Sequence, residues 1–95
     1  MLNMDIDIIY KDVQVNEIAV KPAGNHFSAV VNFSSARGDF TINLNGIRDP
    51  DNLTDLLYAK RIWLKEETDS QIEFGRYTLG IQDESYSEII FDDYF

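Results

Sequence analysis

The sequence predicts an α+β domain: a mainly antiparallel sheet, in the element order β-β-β-β-α-β-β, with one helix packed on one face. Three observations carry this. Apolar residues recur every second position through most of the chain. Turn-forming residues separate those runs. One internal stretch changes to helical spacing behind a capping Asp-Pro. A small barrel or sandwich is the alternative arrangement of the same strands. At 95 residues there is room for one domain and little more, so the chain is read as a single unit over 1–95. Its apolar content of 44% and aromatic content of 13% are those of a chain able to bury a core.

The elements follow in order. Met4, Ile6, Ile8 and Tyr10 fall on one face of residues 4–11, with Asp5, Asp7 and Lys11 on the other, which is the period of a half-buried strand. Val13, Val15, Ile18 and Val20 continue it, and their change of phase at Asn16-Glu17 predicts a bulge or bend. Lys21-Pro22-Ala23-Gly24-Asn25 reads as a loop. Phe27, Ala29, Val31 and Phe33, then Phe40, Ile42 and Leu44, alternate with smaller or polar residues on either side of a Gly38-containing connection, so 26–45 reads as a hairpin. Asp49 and Pro50 suit a helix start. Leu53, Leu56, Leu57, Trp63 and Leu64 recur at helical spacing, with Lys60, Arg61 and Lys65 where the helix dipole favours cations. Periodicity leaves open a helix ending near Ala59 with Arg61–Lys65 as a strand. Glu66–Ser70 reads as a polar loop, 72–82 as a strand, 83–85 as a turn, and 86–94 as a last strand or ordered tail.

Charge is distributed unevenly. The net charge is −9; residues 1–48 hold five acids and four bases, whereas 49–95 hold twelve acids and four bases. The last thirty residues carry nine acids against Arg76 alone. Affinity for nucleic acid comes from neutralising phosphates with Lys and Arg, so direct DNA or RNA binding is not expected, nor is an anionic membrane surface. A protein partner with a basic surface is the electrostatically complementary one. With no cysteine, disulfides and thiol chemistry are excluded. The start lacks a basic region and an apolar run of signal length, which gives the expectation of a soluble cytoplasmic protein.

Catalytic and ligand-binding patterns are weak. His26 is the single histidine and no serine lies in a nucleophile-elbow pattern; an enzyme pairing His26 with a carboxylate is therefore the least favoured reading. Among the many carboxylates no pair stands out for glycosidase-type work. Asp49, Asp51 and Asp55 resemble the opening of a calcium loop, but Leu53, Thr54 and Lys60 occupy positions that demand an oxygen ligand, glycine and glutamate. Asp92-Asp93 offers at most loose cation binding. Five scattered glycines make no nucleotide fingerprint. No metal and no cofactor are expected. Arg37-Gly38-Asp39 spells an integrin-type tripeptide at the hairpin tip, and Asn32-Phe33-Ser34 and Asn52-Leu53-Thr54 match the glycosylation triplet. Turn formation accounts for the first, and the absent secretion signal discounts the other two.

The acid- and aromatic-rich stretch 83–95 remains, as an edge strand or an acidic tail. The leading functional expectation is a non-enzymatic acidic binding protein of inhibitor, immunity or nucleic-acid-mimic type. It would engage a basic protein partner through segment 66–95, with Glu84, Tyr86, Glu88, Asp92 and Asp93 as the contact residues. The alternative is a structural subunit of a larger assembly, such as a phage or bacterial complex, or a homo-oligomer joined at an exposed sheet edge.

Overall fold

The computed structural model describes residues 2–66 and 77–94; the loop expected at 67–70 and the first residues of the strand expected at 72–82 lie outside them. The described chain forms strands β1 (Leu2–Asn3), β2 (Ile9–Lys11), β3 (Gln14–Ala23), β4 (His26–Ser35) and β5 (Gly38–Ile47). A 3-10 helix (Asp51–Tyr58) follows, then β6 (Arg61–Glu66), β7 (Tyr77–Gln82), β8 (Tyr86–Phe91) and β9 (Asp93–Tyr94). The antiparallel character predicted by the alternation is present. The strands divide into two sheets, as in the sandwich alternative and not the single sheet expected first, and neither closes into a barrel. The first runs β1-β5-β4-β3, with β9 also paired to β5; the second runs β2-β6-β7-β8. Only β1 on β5 and an isolated Ile6–Leu64 bridge are parallel among the described pairings.

The hairpins form where turn chemistry dictates. Ala23 opposes His26 around a Gly24-Asn25 turn in which Gly24 has φ 66°, the geometry of a two-residue hairpin with glycine first. Lys21, Pro22 and Ala23, expected in a loop, therefore belong to β3. The phase change at Asn16 is a register shift between Val15 and Glu17, as the sequence pattern requires. Residues 4–8 are not a regular strand. Asp7 takes φ 65°, a left-handed conformation that aspartate tolerates better than most side chains, and it interrupts any ladder. The alternation survives without the strand: Met4 and Tyr10 are buried.

Inward residues of both sheets share one core. It takes Ala29, Val31 and Phe33 from β4, Phe40, Ile42 and Leu44 from β5, Ile62 and Leu64 from β6, Leu79 and Ile81 from β7, and Ile89 and Phe91 from β8. Tyr10 from the second sheet meets Phe33 and Phe40 from the first edge-on, at centroid distances of 5.8 and 4.8 Å. Such offset aromatic packing adds about 0.5–1.5 kcal/mol beyond area burial and ties the sheets together.

The helix is shorter than the apolar spacing suggests. Asp49 accepts a hydrogen bond from the Asp51 N–H at 3.0 Å, and the helix ends at Tyr58 because Ala59 is extended (ψ 135°). The spacing of Trp63 and Leu64 is thus strand alternation following a helix: Ile62 and Leu64 point inward and Trp63 outward. Leu53 and Leu56 are the helix's buried residues. The helix lies against both β3 and β8, the end strands of the two sheets. No helix among the described residues is long and apolar enough to cross a membrane.

Candidate functional site

The most distinctive surface is the seam between the 3-10 helix and β8. β8 ends its sheet among the described strands, so one row of its backbone groups has no described strand to pair with. Side chains of the helix meet it. Asn52 Nδ2 donates to the Glu88 carbonyl at 2.8 Å, and Ser87 Oγ donates to Asp55 Oδ2 at 2.8 Å. Two shallow depressions lie beside these contacts. One, of about 100 Å³, is lined by Asp55, Tyr58, Ile81, Asp83, Ser85 and Ser87; the other, of about 460 Å³, by Arg48, Asp49, Asn52, Glu88 and Ile90.

Carboxylates from three separated stretches line this seam: Asp49 and Asp55 on the helix side, Asp83 in the β7–β8 turn, and Glu88 on β8, with Asp51 and Glu84 adjoining them in sequence. Glu84 and Glu88 are exposed. Among the described residues no three such groups converge closely enough to hold a metal ion. The spread suits contact with several separate ammonium or guanidinium groups. Two cations lie beside it: Lys60 Nζ is 3.6 Å from Asp83, and Arg48 is 2.6 Å from Asp92.

The five residues singled out from sequence are divided between places. Tyr86 and Glu88 share the outer face of β8, where the Tyr86 hydroxyl donates to Glu88 Oε2 at 2.6 Å. This bond, then partial burial, then the charge of Glu88 push the phenol up to about 12. Glu84 sits in the turn preceding Tyr86. Asp92 and Asp93 lie past β8, toward the first sheet. The Asp92 N–H donates to the Asn45 carbonyl, its carboxylate meets Arg48, and it packs on Gly46, where any side chain would overlap it. Asp93 opposes Asn45 in the β5–β9 pairing, and its Oδ1 accepts from the Tyr94 N–H.

Tyr86 also belongs to an aromatic pair. Its ring stacks on Trp63 with centroids 5.7 Å apart and planes within 8°. Trp63 in turn lies over Gly80, and a methyl group there would overlap the indole. The sequence pattern marks Asp49 and Asp51 as helix-capping residues and Asp55 only as part of an incomplete calcium-loop pattern. No window of sequence could bring them to Glu88, because the approach is made by folding the helix across the edge of β8. Comparison with protein-family models, with curated proteins and with solved structures finds no match.

Proposed function

We propose that this chain is a non-enzymatic binding protein that engages a basic surface of another protein through the seam between the 3-10 helix and β8. One observation carries the reading: carboxylates from before the helix (Asp49), the helix (Asp55), the β7–β8 turn (Asp83) and β8 (Glu88) line the two depressions of the seam, together with exposed Tyr58. Lysines and arginines that would otherwise hold phosphates are natural counterparts for such a row, so an inhibitor, immunity or nucleic-acid-mimic role follows from the chemistry. Tyr86 supplies a rigid aromatic anchor, held by Trp63 on its ring and by Glu88 on its hydroxyl. Glu84 and Glu88 supply charge. Asp92, neutralised by Arg48, and Asp93, engaged on β9, contribute less than these.

The test is capture of partners from a lysate by the wild type and by a variant carrying Asp55→Asn, Asp83→Asn, Glu84→Gln and Glu88→Gln. It is run at low salt and at roughly 0.5 M, where screening reaches only about 4 Å. A basic protein held by the wild type at low salt, released at high salt and lost by the variant is the expected result. Equal capture by both baits at both salts contradicts the proposal.

A further inference from the structure

The end strand of the first sheet, β3, has ten residues, and most of them are exposed. Its register with β4 determines which backbone groups face away from β4, where no described strand pairs with them. In a two-residue hairpin the residues flanking the turn, here Ala23 and His26, exchange hydrogen bonds, and pairs alternate from there. Ala23, Lys21, Ala19 and Glu17 thus bond to β4, while Pro22, Val20 and Ile18 turn their backbone groups outward. Pro22 fixes this parity independently, since a residue without an N–H suits the outward position. The free stretch is bounded on one side by Pro22, which has no donor, and on the other by the bulge at Asn16.

What lies between those bounds is self-complementary. When β3 is laid antiparallel on a second β3 with Ala19 opposite Ala19, Ile18 falls opposite Val20 and Glu17 opposite Lys21, twice each. The residues whose N–H and C=O point outward, Ile18 and Val20, are then the ones that must exchange hydrogen bonds, and the Ala19 pair takes the closer, non-bonded position on the two-fold axis. Any register shifted by one residue puts backbone groups committed to β4 opposite free ones. The side chains agree with the backbone. Ile18 and Val20 lie on the core side, opposite Val31 and Ala29, and line a depression of about 320 Å³ with Leu53 and Leu57. Val20 is 46% and Leu57 57% exposed, which leaves an apolar strip along this edge. Glu17, Ala19 and Lys21 lie on the other face, opposite Asn32, Val30 and Ser28.

We propose that a second copy of this chain covers this edge: two molecules pair β3 to β3 about a two-fold axis at Ala19, joining their first sheets into one. Four backbone hydrogen bonds, from Ile18 and Val20 of each copy, form the ladder. Glu17 of each meets Lys21 of the other, and the Val20 side chains close over the strip beside Leu57. A two-fold contact uses up both free edges and so ends at the dimer.

Because the chain has no cysteine, one substitution reads the register directly. In the paired copies Ala19→Cys places two thiols at a separation of about 4.5 Å between Cα atoms, within disulfide reach. Ala23→Cys, on the same face of β3, places them about 26 Å apart at roughly 3.3 Å per residue. Mild oxidation is expected to give a disulfide dimer far faster with Ala19→Cys than with Ala23→Cys. Sedimentation of the unmodified chain over a dilution series is expected to show a monomer–dimer equilibrium. Glu17→Lys and Lys21→Glu should each weaken it on the order of tenfold, and the two together should restore it by exchanging the paired charges. A monomer at every concentration, equal cross-linking of the two cysteine variants, or no recovery in the double variant overturns the proposal.

Discussion

The end strands β8 and β3 present the same physical problem, a row of backbone groups with no neighbouring strand among the described residues, and the chain treats them differently. Along β8 the 3-10 helix brings its own polar side chains to the edge: Asn52 meets the Glu88 carbonyl and Asp55 meets Ser87. The edge is closed at Glu88, and Glu88 lies outward between exposed Tyr86 and Ile90. Along β3 the same helix brings Leu53 and Leu57, which offer apolar surface and no hydrogen bonds. That edge stays open between Pro22 and the bulge at Asn16. One short helix thus presents polar side chains to one sheet and apolar side chains to the other, which is why different partners are proposed for the two edges.

The comparison breaks most severely if the helix is released. Leu56 is fully buried, and Leu56→Ala is expected to cost about 2–5 kcal/mol, read from thermal or denaturant unfolding. A smaller loss would mean that the helix is not held between the sheets by this side chain. Unsealing β8 alone is milder. Asn52→Ala removes the donor to the Glu88 carbonyl and should cost about 0.5–1.5 kcal/mol, with faster amide exchange confined to β8 and the helix. Unchanged exchange in β8 would show that Asn52 does not seal it.

The smallest effect sharpens the description of the seam. Tyr86 should ionise near pH 12, against 10 for a free phenol, in an ultraviolet titration, and Glu88→Gln should bring it down toward 10. A phenol whose value is raised by folding contributes stability that is complete below pH 10. That contribution is lost as pH rises through about 12, so the pair matters to stability only in that alkaline window. The exposed position of Tyr86 keeps the contribution small. Ionisation of Tyr86 near 10 in the wild type would mean that the bond to Glu88 does not persist in solution.

Local patterns carried much of the fold into the sequence. The inward faces of β4 and β5, the bulge after Val15 and the inward Ile89 and Phe91 all follow from a period of two, which depends only on the strand's own geometry. Tyr86 and Glu88 were legible as neighbours for the same reason, being two residues apart on one strand face. A two-sheet arrangement entered only as the sandwich alternative, and which strands share a sheet was not legible, because pairing partners such as Ile9 and Trp63 are distant in sequence and alternation does not encode which strands meet. The strand expected over 4–11 is regular only at Ile9–Lys11, because the left-handed backbone of Asp7 leaves the apolar alternation intact while ending the ladder. The helical reading of Trp63 and Leu64 failed because three- and four-residue spacings also arise when a short helix runs directly into a strand. The part that Asp49 and Asp55 play beside β8 depends on tertiary folding, which no spacing rule reaches.

The central claim is that the two edges have separate occupants, and capture from lysate with three baits tests it most directly. The baits are the wild type, the variant with Asp55, Asp83, Glu84 and Glu88 neutralised, and Glu17→Lys. The account predicts that a basic partner is retained by the wild type and by Glu17→Lys and lost by the neutralised variant. Loss of that partner with Glu17→Lys and its retention by the neutralised variant would place the partner on β3 and contradict the account.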